Sequence, residues 1–498
     1  MVTVGSDVSS GSLGNLLKIK YLAGVNDLNT DKIFLYSGFP TAPEKHNGLY
    51  FQGALGLNRS QAIQAQPQVG AAYPTPGSAS SDLWAAHVGV LTGSYAYDLV
   101  AQEMTSDLEG AFDSVESQNF VSWMKAYKLY KERVCLGNGS GILNIHGGIS
   151  RVPSGGALDT TAAGWTFAAS LFDYPKLARG MRFQLYRVTT ALNYSTWRTA
   201  DKLAHPAQGF FTIRTVARHA SGTVAIVTVE EPVTAGTLPT AAGEFGNASN
   251  LDFMVMQGAV IENAHADGGN LGTEFMGIDG LINGTNSLSA ATAYAEDGSQ
   301  WLQIAAKSPF ANGTFQNVSM TTIPEFQSEI VPLRGLASPP RLNETVVTNG
   351  LNNMNSFGRG ESGQLKMGIA HPLQIDEYTR PIRAKETIVI SQDSTSPSRV
   401  PSIRNSVHQM KGMGEAVIAG GIPFYGHQMC RADAAYLTTA DAIEKTACSP
   451  MKIEDDGLSN DGTTKRVYKT LELGQMISRD RGKSIRIDGL ALPSTIVS

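Results

Sequence analysis

The stretch Tyr97–Leu136 reads YDLVAQEMTSDLEGAFDSVESQNFVSWMKAYKLYKERVCL, and its pattern predicts the main helix of the chain. About 40 residues without a proline correspond to a helix on the order of 60 Å long. Acidic residues come first (Asp98, Glu103, Asp107, Glu109, Asp113 and Glu116) and basic residues last (Lys125, Lys128, Lys131 and Arg133). This order opposes the helix dipole at both ends and stabilises the helix. The glycine-rich run Gly137–Gly141 then predicts its end.

Apolar residues repeat at helical spacing along this stretch and form two stripes. The first stripe is Val100, Met104, Leu108, Ala111 and Val115, and the second is Phe120, Met124, Tyr127, Tyr130 and Val134. Because the polar run Glu116–Asn119 lies between them, the pattern predicts either a kink there or a straight helix packed on two surfaces. We expect Phe120 and Met124 to be buried on the second stripe.

Composition indicates a β-rich globular protein of more than one domain. The 498 residues include 52 glycines, 42% hydrophobic residues and 17% charged residues, which is typical of a turn-rich folded chain and not of a disordered one. The formal net charge of -5 is mild. It argues against tight, sequence-independent DNA binding, for which a basic protein is expected.

Cysteine usage and hydropathy indicate where the chain is made. The three cysteines, Cys135, Cys430 and Cys448, are an odd number without a disulfide framework, which favours a reducing compartment. The N-terminus shows no basic region followed by an apolar run, and no stretch approaches the ~18 consecutive apolar residues of a membrane span. We therefore expect a soluble protein made in the cytoplasm.

The rest of the chain is predicted to be mostly β-structure. Residues 1–84 form an extended arm with strand candidates at Lys32–Tyr36 and Gly48–Phe51, and we expect this arm to pack on its own domain or on a neighbour. The elements predicted further on are a strand at Gly180–Tyr186, a hairpin of Phe210–Arg218 with Thr223–Val229, a strand at Phe253–Met256, an apolar turn at Met276–Asn283, a helix at Leu342–Met354, a glycine-punctuated stretch at His408–Gly421, an acidic loop at Glu454–Gly462 and a strand-like segment at Lys465–Ile487.

Motifs that carry chemistry are weak throughout. Lys483-Ser484 after Gly482 resembles the end of a phosphate-binding loop, but Ile477 occupies the position of its first glycine. His427, Cys430 and Cys448 offer too few ligands at the wrong spacing for a structural zinc site. No Gly-x-Ser-x-Gly elbow is present. The sequence therefore predicts no catalytic residue, no cofactor and no metal.

Basic residues concentrate near the C-terminus: Lys465, Arg466, Lys469, Arg479, Arg481, Lys483 and Arg486. They alternate with apolar residues, so a strand with one buried face and a charged rim is favoured over a nucleic-acid site. The charges can instead meet acidic groups on a neighbouring copy of the chain.

In their order, these features resemble the major capsid proteins of tailed double-stranded-DNA bacteriophages. The resemblance lies in the arm, the long helix ended by Leu136–Gly141, the β-rich insertion with the Phe210–Val229 hairpin, and the Met276–Asn283 turn. The later segments Gly420–Phe424, Cys430–Asp433 and Ser478–Lys483 fit the same pattern.

The resemblance implies an α+β chain with the Johnson fold of that family. The implied parts are an N-terminal arm and extended loop (1–94), a spine helix (95–141), a peripheral domain with a β-rich insertion (142–320), an axial domain (321–445) and a C-terminal strand that returns to the peripheral domain (446–498). It also implies self-assembly as pentamers and hexamers into an icosahedral shell in the virion. Scaffolding, portal and decoration proteins are the further partners expected, with weak non-specific contact to packaged DNA and none to a membrane.

Structural or interface roles are expected for six residues: Phe120, Met124, Tyr127, Arg479, Arg481 and Lys483. Two other functions stay open at this point. An encapsulin-like compartment shell would share the fold and enclose a cargo enzyme. A β-rich hydrolase would use a pair of carboxylates, but no such pair is evident in the sequence.

Overall fold

The computed structural model describes residues 35–42, 46–47, 50–58, 80–106, 115–139, 141–147, 166–188, 202–203, 210–218, 224–230, 251–257, 274–282, 318, 323, 326–333, 336, 338–356, 365, 367–379, 417–419, 421–439, 442–458 and 463–492. Most of the predicted arm and most of the glycine-punctuated stretch His408–Gly421 lie outside the described residues.

The described residues form helices and strands in an α+β arrangement, which confirms the predicted fold class. The helices are α1 (Leu35–Gly38), α2 (Leu99–Ser106), α3 (Val115–Leu136), α4 (Ile278–Leu281), α5 (Glu344–Ser356) and α6 (372–379). The strands are β1 (His46–Asn47), β2 (Tyr50–Asn58), β3 (Ser80–His87), β4 (Gly89–Asp98), β5 (Ile142–Gly147), β6 (Thr166–Ser170), β7 (Arg182–Val188), β8 (Lys202–Leu203), β9 (Phe211–Arg218), β10 (Val224–Glu230), β11 (Leu251–Met256), β12 (Glu329–Pro332), β13 (Met367–Ala370), β14 (Val417–Ala419), β15 (Ile422–Gly426), β16 (Ala434–Thr438), β17 (Ile443–Leu458), β18 (Lys465–Ser478) and β19 (Ile485–Asp488).

The strands pair into four sheets. The order is β1-β2-β3 in the first, β5-β11-β7-β9-β10-β6 with β8 beside β7 in the seven-stranded sheet, β12-β19-β16-β13-β15-β14 in the six-stranded sheet, and β17-β18-β4 in the last. We call this last one the helix-backed sheet, because α3 lies across it.

The continuous helix predicted over Tyr97–Leu136 is wrong in its first part. Tyr97 and Asp98 end strand β4. Helices α2 and α3 follow, and the side-chain oxygen of Gln102 in α2 accepts a hydrogen bond from the backbone N–H of Glu116 in α3 at 3.0 Å. In one straight helix these two residues would be about 21 Å apart. Helices α2 and α3 are therefore not parts of one straight helix, and α3 alone is the long helix.

Aromatic rings attach the first half of α3 to the helix-backed sheet. The ring of Tyr95 on β4 stacks on Tyr468 of β18 with centroids 5.0 Å apart. It also contacts Phe120 and Trp123 of α3, at 6.0 and 5.6 Å. Gly93 lets the helix approach this closely, since an added Cβ would lie 3.2 Å from the Trp123 ring. The sheet therefore has one face under α3 and one face turned away from it.

The seven-stranded sheet contains the hairpin that the sequence predicts. Strands β9 and β10 pair antiparallel with Val216 opposite Val227, and β10 lies between β9 and β6. Alternating side chains of these strands form a separate core with the residues Leu143, Leu177, Phe183, Phe211, Ile213, Ala225, Val227 and Met254. The predicted strands at Gly180–Tyr186 and Phe253–Met256 correspond to β7 and β11.

The six-stranded sheet joins distant parts of the chain. Strand β19 pairs in parallel with β12 and antiparallel with β16. The predicted helix at Leu342–Met354 is confirmed as α5, which buries Val346, Val347, Gly350 and Met354. The C-terminal strands thus pair in this sheet (β19) and in the helix-backed sheet (β18).

Two local predictions are corrected. Leu35–Tyr36 belong to helix α1 and not to a strand. The acidic segment that begins at Glu454 belongs to β17 through Leu458, because its backbone pairs with β18, with Glu454 opposite Lys469 and Leu458 opposite Arg466. The strand-like segment predicted over Lys465–Ile487 is two strands: β18 ends at Ser478, and a 3-10 turn at Arg481–Lys483 separates it from β19. Buried and exposed residues alternate along the middle of β18. The predicted domain boundaries stay predictions.

Candidate functional site

Three consecutive charged residues are buried where α3 ends. Lys131, Glu132 and Arg133 are exposed by only 1%, 2% and 6%. Successive residues of a helix point about 100° apart, so the three side chains extend toward three different parts of the chain. We call this group, with its partners, the helix-end junction. Such burial is rare for charged groups unless each one is paired.

Lys131 contacts the helix-backed sheet. Its Nζ donates to Oε1 of Glu472 on β18. The rings of Tyr36 and Phe275 lie 4.5 and 4.4 Å from Nζ, which places the ammonium in an aromatic pocket. Burial lowers the pKa of Lys131 to about 7 and raises the pKa of Glu472 to about 7. Each group therefore depends on the other to remain charged.

Glu132 connects α1 with the turn after β15. Its Oε1 accepts the backbone N–H of Tyr36 at 3.0 Å. Its Oε2 lies 3.1 Å from Nε2 of His427. Nδ1 of His427 accepts the backbone N–H of Met429 at 3.2 Å, so Nε2 is the ring nitrogen that faces Glu132.

Arg133 anchors the turn that precedes α4. Its guanidinium binds both carboxylate oxygens of Glu274, and the hydroxyl of Tyr130 donates to the same carboxylate at 3.0 Å. Burial alone would lower the pKa of Arg133, but Glu274 outweighs burial and raises it. The predicted apolar turn at Met276–Asn283 is thereby held against the end of α3.

Close backbone packing reinforces this contact. A Cβ added at Gly277 would lie 2.1 Å from the carbonyl oxygen of Val134 and 2.4 Å from that of Cys135. These atoms belong to the backbone of α3 and cannot move aside singly.

We therefore expect Gly277→Ala to lower the free energy of unfolding by about 3 kcal/mol, at the upper end of overpacking costs. Urea unfolding followed by circular dichroism measures the change. Gly56→Ala is the matched control, because no atom lies within 4 Å of its added Cβ. Equal stability of the two variants would contradict the close contact.

A second buried ion cluster joins α4 to the six-stranded sheet. Arg431 binds Asp433 at 2.9 Å, Asp279 at 3.1 Å and Asp488 at 3.1 Å. The Tyr436 hydroxyl donates to Asp279 at 2.6 Å, and Arg486 lies 3.6 Å from the same carboxylate. Burial alone would raise the pKa of Asp279, but Arg431, Arg486 and the Tyr436 hydroxyl together lower it.

The predicted site residues fall into two groups. Phe120, Met124 and Tyr127 are half-buried on α3, less than the full burial expected for the first two. This is because α3 has the sheet on one side only at that level. Arg481 is fully buried, and its Nε donates to the carbonyl oxygen of Leu281 at 2.7 Å. Burial lowers the pKa of Arg481 to about 9, and its position is structural.

Arg479 and Lys483 are each 36% exposed. Arg479 pairs with Glu444 at 2.6 Å and Lys483 with Asp480 at 3.3 Å. They lie on either side of buried Arg481. Their exposed portions leave them available for contact with another molecule.

Sequence reasoning missed the helix-end junction. Lys131 and Arg133 were assigned only to the dipole-stabilising end of the helix, and Glu132 was not singled out. Their one signal in the sequence is the run Lys131-Glu132-Arg133-Val134-Cys135-Leu136, where the charges pass directly into apolar residues.

Exposed apolar side chains concentrate around the helix-backed sheet. The large apolar residues exposed in the described ranges are Leu83, Val90, Val100, Val121, Tyr174, Leu336, Ile453, Leu458 and Leu471. Six of these nine lie on the strands of the helix-backed sheet or on α2 and α3. Val90 and Leu471 are 54% and 40% exposed. They share the face turned away from α3, since Val90 pairs with Leu473 and Leu471 with Thr92.

Within the described ranges, no group of three or more His, Cys, Asp or Glu residues is arranged to hold a metal ion. Among the described helices, none combines the length and apolar character needed to cross a membrane.

Comparison with known proteins gives matches to solved structures alone. No protein-family model matches the chain, and no curated protein matches it. The Cyanophage A-1(L) capsid asymmetric unit aligns at 8% identity over 95% of this chain and 97% of that chain, with a TM-score of 0.45. The capsid of Myoviridae phage XM1 aligns at 7% identity over 98% and 100%, with a TM-score of 0.41. Both aligned structures carry the name of a phage capsid.

An encapsulin complex matches over a smaller part. The holo-SrpI encapsulin from Synechococcus elongatus PCC 7942 aligns at 9% identity over 36% of this chain and 56% of that chain, with a TM-score of 0.24.

Proposed function

We propose that this chain is the major capsid protein of a tailed phage, which assembles as pentamers and hexamers into an icosahedral shell around double-stranded DNA. The role is structural and needs no catalytic residue. The proposal rests on the fold of the chain itself and on the surface that the fold leaves uncovered.

The carrying observation is that two exposed apolar side chains, Val90 and Leu471, share the face of the helix-backed sheet that is turned away from α3. Exposed apolar side chains that lie together on one sheet face are a candidate surface for another molecule to cover. A second copy of the chain is the occupant that a shell requires. In a heterologous contact, this surface of one copy meets a different surface of the next copy. Such contacts close into a ring when the rotation between neighbouring copies permits it.

The helix-end junction and the buried ion cluster around Arg431 support the same role. They join α3, α4, the helix-backed sheet and the six-stranded sheet through paired charges in a water-poor interior. Pairing of this kind fixes the geometry of the elements, since a shifted element would leave a buried charge without its partner. Fixed positions of these elements would keep the contact surfaces of a shell subunit in place for its neighbours.

The charge of the chain bears on its other partners. A formal net charge of -5 suits a container from which DNA is released, because a basic lining would retain phosphates. We propose weak, non-specific contact with packaged DNA. Scaffolding, portal and decoration proteins are the further partners of the proposed shell, which is assembled in the host cytoplasm, and Arg479 and Lys483 are candidate contact residues.

Electron microscopy of the purified protein tests the proposal. The chain is expressed alone and with its neighbouring genes, separated by size-exclusion chromatography and imaged in negative stain. Closed polyhedral shells, tubes, or free pentamers and hexamers are expected. A monomer or small oligomer under every condition would overturn the proposal. Shells that hold a protein cargo and no DNA would instead favour an encapsulin-like compartment.

A surface variant tests the carrying observation. Val90→Asp with Leu471→Asp places two carboxylates on the proposed contact face, where burial without a partner costs several kcal/mol. We expect a folded subunit and at least a ~10-fold loss of assembled particles, since 1.4 kcal/mol already corresponds to that factor. Particle yield is measured by size-exclusion chromatography and microscopy.

The control for this variant adds the same charge elsewhere. Thr345→Asp with Asn352→Asp changes two exposed residues of α5 and is expected to assemble normally. Normal shells from the Val90/Leu471 variant would show that this face is not a contact.

A further inference from the structure

Two histidines end neighbouring strands of the six-stranded sheet. His371 follows β13 and His427 follows β15, and the backbone N–H of His427 donates to the carbonyl oxygen of Ala370 at 3.0 Å. Both rings are buried, with 6% and 7% of their surface exposed. In each, Nδ1 accepts a backbone N–H two residues ahead, from Leu373 at 3.3 Å and from Met429 at 3.2 Å.

His371 also begins helix α6. Its carbonyl oxygen accepts the N–H groups of Gln374 and Ile375, and its ring caps the N–H of Leu373 in the first turn. The positive end of the helix dipole therefore faces the ring.

The ring of His371 meets the 3-10 turn Leu171–Lys176, which comes from the other large sheet. Phe172 lies edge-on to it, with centroids 5.6 Å apart and an interplanar angle of 85°. This turn packs on β5, β6, β9 and β10, and Leu177 just after it belongs to the core of the seven-stranded sheet. The contact thus connects the seven-stranded sheet with the six-stranded sheet.

We propose that the contact between His371 and the Leu171–Lys176 turn is an acid-sensitive latch that holds the seven-stranded sheet against the six-stranded sheet. Protonation of His371 opens the latch and releases the turn. The rest of the fold stays closed.

The surroundings of the ring oppose its protonation. Burial, then Lys176 on the turn and His427 on the neighbouring strand, lower the pKa of His371 to about 4. The carboxylate of Glu132 lies beyond His427 and binds that ring, and Glu377 on α6 binds Arg341. Protonation at Nδ1 also removes the acceptor of the Leu373 N–H. A charged ring is therefore stable only where water reaches it, which requires the Phe172 contact to open.

Linkage gives the size of the effect. The open state carries an ordinary histidine with a pKa of 6.5, and the closed state binds the proton only at about 4. Between these values the open form holds one more proton, so the opening equilibrium rises about tenfold for each unit that the pH falls, and about 300-fold in total. Above pH 6.5 neither form binds the proton, so the opening equilibrium is at its minimum and no longer depends on pH.

Hydrogen exchange of the full chain, read by mass spectrometry from pH 7 to pH 4, tests the proposal. Protection factors corrected for intrinsic exchange are expected to fall about tenfold in residues 166–188 for each unit that the pH falls between 6.5 and 4. The protection factors of α5 are expected to stay unchanged. Asparagine is a good helix cap and does not titrate, so His371→Asn is expected to show a flat profile. Lys176→Met removes a positive charge that lowers the pKa of His371. The pKa of His371 in the closed form is then expected to rise, so that protection depends on pH over a shorter range below 6.5.

Tyr174→Phe changes an exposed residue of the same turn and is expected to keep the wild-type profile. Protection in residues 166–188 that does not change with pH would overturn the proposal. So would an unchanged slope in the His371→Asn variant. Simultaneous loss of protection in α5 would show global unfolding in place of a local latch.

Discussion

Replacing Lys131 with Met is expected to lower the free energy of unfolding by about 3–5 kcal/mol, because the variant leaves Glu472 buried without its partner. Lys131 is 1% exposed and Glu472 is 8% exposed, so water cannot take over the lost interaction. Urea unfolding of the purified subunit, followed by circular dichroism, measures the difference in midpoint.

The double variant Lys131→Met with Glu472→Leu separates the worth of the pair from the cost of breaking it. Removing both charges is expected to restore most of the lost stability, since apolar replacements of buried ion pairs are often neutral. Lys469→Met is the matched control. Lys469 lies on β18, as Glu472 does, and it also pairs with a carboxylate, but Lys469 and its partner Asp456 are 62% and 48% exposed to water. Its effect is expected to stay below about 1 kcal/mol. A single variant as mild as this control would contradict the described burial of Lys131.

Replacing Arg431 with Met is expected to have the largest effect of any single change, and to prevent accumulation of folded protein at pH 7. The substitution leaves Asp279, Asp433 and Asp488 facing one another in the interior, with Arg486 as the cation that remains near two of them. Breaking one buried pair typically costs about 3–5 kcal/mol, and here one side chain serves three carboxylates. Soluble yield and thermal unfolding are the measurements.

The pH dependence of this variant gives a second test. In the wild type the pKa of Asp279 is lowered, so its contribution to stability is complete above the ordinary aspartate pKa and is lost as the pH falls. In the variant the carboxylates gain stability by taking up protons, so the deficit relative to wild type is expected to shrink toward pH 4. Arg466→Met is the exposed control, since its partner Asp455 lies at the surface. A deficit that stays constant with pH would argue against carboxylate repulsion.

Local patterns predicted those elements whose environment alternates regularly. The β9–β10 hairpin follows from two β-rich runs around a short turn, and α5 follows from apolar residues at helical spacing. The alternation in the predicted segment Lys465–Ile487 likewise indicated β18, which forms its first part, because one face of that strand is more buried than the other. In each case the side-chain period reflects a single buried face, which a linear pattern can show.

The long helix shows where this reasoning stops. Gly110, and Asp113-Ser114 before Val115, are signals for a break and a new helix start. The absence of proline and the sorted charges favour one continuous helix instead. Tyr97 carries a helical pattern but belongs to β4, since its neighbours Ala96 and Asp98 pair with Val467 and Lys465 more than 360 residues away. Strand pairing over that distance leaves no mark in a local window.

By itself, the sequence determined the mixed α+β class, the main hairpin, helix α5, the glycine-rich end of α3 and the resemblance to phage capsid proteins. These follow from short-range periodicity and from the order of features along the chain. Tertiary structure alone decided that Lys131, Glu132 and Arg133 are buried, that Arg481 lies inside the protein, and that His371 meets the Leu171–Lys176 turn. The physical reason is that a buried charge is stable only beside a partner, and each of these partners comes from a distant part of the chain.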